Sequence, residues 1–95
     1  MKEDGIVDWE AFGVLLKAAR LSQGFRRGAA LCEAVKETVG MRISERTIYA
    51  LEEGSRTPST DVFIALQQVL PELRDPAFLR PLFRGSNIKI AIVEF

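Results

Sequence analysis

The side chains that can do chemistry in this chain are few in kind. There is no histidine and one cysteine, Cys32, and no grouping of cysteines or carboxylates has the spacing of a metal site. Histidine-based acid–base pairs and nucleophile triads are therefore excluded, and zinc with them. Cys32 lies in the apolar run Ala29-Ala30-Leu31-Cys32 and reads as a small buried hydrophobe. The expectation is a protein that is not an enzyme, with no cofactor and no evident small-molecule ligand. What remains is directional hydrogen bonding. In the short segment after Ser44, Ile48 and Leu51 are the apolar positions; on a helix this spacing turns Glu45, Arg46, Tyr49, Ala50 and Glu53 outward. An arginine so presented can meet guanine O6 and N7 with two hydrogen bonds, and Tyr49 a thymine methyl or a phosphate. Glu45 can accept from a cytosine amino group, or simply suit a helix N-terminus.

Holding these groups outward requires a helix beneath them and a body behind it. Asp8 can cap a first helix over about residues 9 to 22, with Phe12, Leu15, Leu16 and Ala19 on one stripe and Gly24 just past its end. Leu31, Ala34, Val35 and Val39 mark a second helix, from about Arg27 to a stop at Gly40. Ser44 caps the short third helix, which ends at Gly54. Thr57-Pro58-Ser59-Thr60 is a turn and cap for a fourth, carrying Val62, Phe63, Leu66, Val69 and Leu70 as far as Pro71. Asp75-Pro76 has the order of a fifth helix start, with Pro81 breaking or kinking that helix. Gly85-Ser86-Asn87 is a turn, and Ile88 to Phe95 alternates in the manner of a strand. The expected fold is all-α: five helices and then a C-terminal β-strand.

Leu16-Lys17-Ala18-Ala19-Arg20 with Gly24, then Ile43-Ser44-Glu45-Arg46-Thr47-Ile48-Tyr49-Ala50-Leu51-Glu52-Glu53-Gly54 and Arg56-Thr57-Pro58-Ser59, resemble the Cro and phage-repressor (XRE-like) helix-turn-helix family over about residues 12 to 70. The specific part is Ser-x-x-Thr-Ile-x-x-Leu-Glu-x-Gly with proline four residues on. The resemblance implies that the third helix is a recognition helix with Glu45, Arg46, Tyr49 and Ala50 as base contacts. It implies phosphate contacts from Arg26 and Arg27 at the start of the second helix, from Ser44 and Thr47, and from Ser55, Arg56 and Thr57 after the recognition helix. It further implies a partly buried structural ion pair between Arg20 and Glu52. Lys17 and Arg42 read as solvated surface charges. The chain departs from the family in having roughly seven more residues between Gly24 and Ser44, which implies a longer second helix and a looser turn, and in placing Glu45 and Glu53 on the presumed DNA face.

Thirteen basic residues balance thirteen acidic ones among 95, so bulk charge does not argue for nucleic acid. The distribution does: residues 13 to 31 hold Lys17, Arg20, Arg26 and Arg27 and no acid. The length allows one domain, read as a tail over 1–8, a helical domain over 9–84 and a C-terminal strand over 85–95. No run is long and apolar enough for a membrane span, and the expected location is the cytoplasm. In the strand, Ile88, Ile90 and Ile92 face one way and Ala91, Val93 and Phe95 the other. Such a strand needs a partner, and the simplest is the same strand of a second copy. The expected function is a dimeric, sequence-specific transcriptional regulator, a repressor on a pseudo-palindromic operator in double-stranded DNA. The alternative is an antitoxin or adaptor that uses the same scaffold for protein–protein interaction.

Overall fold

The computed structural model describes residues 7–82, and within them the chain is all-helical. Four α-helices come in order: α1 (Trp9–Ser22), α2 (Gly28–Val39), α3 (Glu45–Glu53) and α4 (Thr60–Val69). Three of the four starts are fixed by short polar side chains. Asp8 Oδ1 accepts from the N–H groups of Glu10 and Ala11, Ser44 Oγ from Thr47, and Ser59 Oγ from Val62, which relieves donors a helix N-terminus would leave unpaired. After α2 and α3 the chain turns through Gly40 and Gly54 with φ of 75° and 80°, a left-handed conformation that suits glycine. Residues 40–44 join α2 to α3 without regular structure, and Ile43 pins that connection by entering the core.

The region read as a fifth helix is not one among the described residues. Asp75 does cap its start, accepting from Ala77 N–H at 3.0 Å. The chain then makes only turns and a 3-10 segment over Arg80–Leu82, after an earlier one over Pro71–Arg74. Leu82 N–H donates to Leu79 three residues back, at 2.9 Å. Pro81 is the physical reason: it has no N–H to donate, and its ring would collide with the carbonyl four residues earlier. Tighter i to i+3 turns are what the segment can still make. The expected C-terminal strand, with Ile88, Ile90, Ile92, Val93 and Phe95, lies outside the described residues.

The core sits between α1, α2, α4 and the buried side of α3. Phe12, Leu16 and Ala19 of α1 meet Leu31 and Val35 of α2, Ile48 and Leu51 of α3, and Leu66 and Leu70 from the end of α4, all with no exposed surface. Trp9 and Phe63 extend it, each packing an edge or tilted ring on Phe12 with centroids 5.5 and 5.6 Å away. Among the described residues no helix is long and apolar enough to cross a membrane.

α1 reaches α3 more closely than side chains would allow. A Cβ on Gly13 would stand 2.5 Å from the carbonyl oxygens of both Leu51 and Glu52. Contact at that distance is with backbone, which cannot swing aside, so α1 or α3 would have to shift. Gly13→Ala should cost about 3 kcal/mol through overpacking. Gly24→Ala, where a Cβ meets nothing but φ is +90°, should cost about 1 to 2 kcal/mol from backbone strain alone. Urea melts monitored by circular dichroism check the order, and a Gly13 variant as stable as the Gly24 one contradicts the close approach.

Candidate nucleic-acid interface

α3 is held from one side only. Ile48 and Leu51 are fully buried, whereas Glu45, Arg46 and Glu53 are exposed and Tyr49 and Ala50 half-buried. A nine-residue helix does not persist in water by itself, so its outward face exists because of what grips the other side.

The strongest grip is electrostatic. Arg20 of α1 donates to Glu52 of α3 through Nε to Oε2 at 2.6 Å and Nη2 to Oε1 at 3.2 Å, with 3% and 5% of the two side chains exposed. The paired geometry is that of a guanidinium on a carboxylate. Nη1 donates to the backbone carbonyls of Phe25 and Arg26, both at 2.9 Å. Hydrogen bonding to Glu52 raises the Arg20 pKa above its ordinary value, against the opposing effect of burial. Arg20 is thus a permanent cation whose bonds fix α3 and the turn before α2 together.

At the start of α3, Ser44 Oγ and Thr47 Oγ1 lie 2.9 Å apart, and Arg56 Nη1 donates to Thr47 Oγ1 at 3.4 Å. Thr47, Arg56, Thr57 and Ser59 line an open groove between α3 and the loop after it. At the other end, Ser55 donates through both N–H and Oγ to the Ala50 carbonyl, at 3.1 and 3.2 Å. Five of the residues read as phosphate contacts, Ser44, Thr47, Ser55, Arg56 and Thr57, therefore surround α3 itself.

Arg26 and Arg27 are exposed where α2 begins. That beginning lies on α3: Gly28 N–H donates to Tyr49 Oη at 2.9 Å, and a Cβ at Gly28 would stand 3.1 Å from Tyr49 Cζ and 3.3 Å from Glu45 Cγ. Of the residues read as base contacts, Glu45 and Arg46 are exposed and Ala50 is half-buried, while Tyr49 has its hydroxyl engaged at the α2 start and its ring 5.6 Å from the Arg20 guanidinium. The residue pattern held one unused sign of this contact: Arg27-Gly28 opens a helix with no capping side chain.

Lys17 and Arg42 are exposed. Cys32 is half-buried, and burial, with the charge of Glu45 second, raises its thiol pKa, which disfavours the reactive thiolate. Among the described residues no group of three or more metal-binding side chains comes together. Comparison with protein-family models, with curated proteins and with solved structures finds no match to this chain.

The buried pair and the exposed arginine should separate in a stability measurement. Arg20→Ala and Glu52→Ala each strand a desolvated partner and should cost about 3 to 5 kcal/mol. Arg46→Ala, on the surface, should stay within about 0.5 kcal/mol of the parent. Thermal melts of the three variants check this, and equal midpoints would remove the pair from its structural role.

Proposed function

We propose that this protein is a sequence-specific DNA-binding regulator in which α2, the 40–44 turn and α3 act as a helix-turn-helix and α3 is the recognition helix. One observation carries the reading. The first turn of α3 exposes Glu45 and Arg46, while the α2 start that carries the exposed Arg26 and Arg27 is bound to α3 through Gly28 and Tyr49, and Arg56 of the following loop through Thr47. In helix-turn-helix proteins the start of the recognition helix meets base edges while flanking groups hold the phosphates. The resemblance of residues 12 to 70 to the Cro and phage-repressor family supports the same assignment.

In this reading Arg46 reads a guanine, Ala50 leaves room for the groove floor, and Glu45 restricts its neighbour to a base with an amino donor. Ser44, Thr47, Ser55, Arg56 and Thr57 hold one phosphate strand, with Arg26 and Arg27 on the other side of the helix. With zero net charge, affinity has to come from paired half-sites more than from a broad positive field. We assign that pairing to segment 85–95 joined with its copy in a second chain, giving a dimer on a pseudo-palindromic operator whose occupation blocks a promoter.

A binding selection on random duplex DNA tests the reading. It should enrich one short, two-fold-related sequence; no enrichment would move the assignment to the antitoxin or adaptor alternative. On the enriched duplex, Arg46→Ala should lose about 1 to 3 kcal/mol and relax preference at one base pair. Arg27→Ala should weaken all duplexes alike and reduce the salt slope by about 1. An Arg46 variant that lost enriched and random duplex equally would not be a base reader. Truncation after Gly85 should give a folded monomer by sedimentation with much weaker specific binding, and a truncated dimer that still binds would refute the strand-paired assembly.

A further inference from the structure

α2 begins without a cap of its own. Its N-cap is Arg27, whose side chain makes no capping hydrogen bond, at a position where Ser, Thr, Asp or Asn would ordinarily take an early N–H. The oxygen that meets the first helical N–H belongs to another helix: Tyr49 Oη of α3 accepts from Gly28 at 2.9 Å. Glycine lets the hydroxyl sit there undisturbed, since a Cβ would stand 3.1 Å from Tyr49 Cζ and 3.3 Å from Glu45 Cγ. The covalent connection between the two helices is no substitute, because residues 40–44 leave from the opposite end of α2.

We propose that Tyr49 is a positioning residue: Arg20 holds the Phe25 and Arg26 carbonyls, and Tyr49, by capping α2 from α3 one residue beyond Arg27, completes the placement of the Arg26-Arg27 turn relative to the base-facing side of α3. The inference rests on the DNA-binding reading above. A duplex holds its phosphates and base edges at set separations, so a protein gains sequence discrimination when its phosphate-binding turn and its base-reading helix keep one relative placement. Random DNA asks for the phosphate contacts alone. Tyr49 therefore acts on the ratio of specific to non-specific affinity. It does so without touching a base, and it leaves Arg27 free to carry charge at a position a capping residue would otherwise occupy.

Tyr49→Phe removes the one oxygen and keeps the ring. The probes are the duplex enriched from random sequence and an unselected duplex of equal length. The ratio of their affinities should fall about tenfold, the worth of one hydrogen bond, with affinity for the unselected duplex within about twofold of the parent. Amide exchange at Gly28 should become faster in the same variant. A second variant separates positioning from stability: Arg27→Ser caps a different early N–H of α2, so Arg27→Ser with Tyr49→Phe should melt near the parent yet keep the low affinity ratio. A ratio unchanged by Tyr49→Phe overturns the proposal, and so does a ratio that recovers together with the melting temperature. If the parent protein enriches no duplex, the DNA-binding reading fails and the proposal falls with it; if it enriches one and Tyr49→Phe reads it equally well, the proposal fails alone.

Discussion

Arg20 is the constraint on which the remaining geometry rests. Its guanidinium is removed from water yet keeps its charge, so every donor that would have faced solvent needs an acceptor within the protein. The acceptors come from three places: the Glu52 carboxylate on α3 and the carbonyls of Phe25 and Arg26 in the turn entering α2. None of these can move far without stranding the cation. α3 is also pressed against α1 at Gly13, where backbone meets backbone. The short helix is therefore gripped by an ion pair near its end and by close packing beside it, and its outer residues are under no demand from the core.

That division explains how a chain of neutral net charge can still present a patterned surface. The interior of α3 is carried by two residues, Ile48 and Leu51, which leaves most of its circumference available to polar side chains. Apart from Glu52, the polar work inside the domain is done elsewhere. Gln67, almost wholly buried, donates through Nε2 to the Leu73 carbonyl at 3.0 Å and so holds the turn that carries α4 into the 3-10 segment. Ser22 and Gln23 at the end of α1 both donate to the Glu72 carboxylate, and these bonds, chiefly that of Ser22, hold its pKa below the ordinary carboxylate value. α1 is tied at one end to α3 by charge and at the same end to the 3-10 segment by hydrogen bonds.

Much of this is legible in the residues, where local rules decide the outcome. Asp8, Ser44 and Ser59 announce helix starts because a short polar side chain before an apolar stripe has one good use, and Gly40 and Gly54 announce stops because the left-handed turn suits glycine. The region after Asp75 misleads because its apolar residues keep helical spacing while Pro81 denies the hydrogen bonds that spacing assumes. Contacts between residues far apart in the chain are not legible locally. Gly13 looks like an ordinary weak spot in a helix until α3 is laid against it, and Tyr49 looks like a free surface tyrosine until Gly28 arrives 21 residues away. The sequence carries the pieces of such contacts but not their meeting.

The Asp8 N–H donates to the Leu82 carbonyl at 2.6 Å, so the body from α1 to the last 3-10 turn closes on itself like a loop drawn tight at the neck. Asp8 and Leu82, at the two ends of the described residues, thus stand side by side at the first turn of α1. With one backbone bond joining them, the first turn of α1 and the last 3-10 turn fray together: loosening either removes the partner of the other.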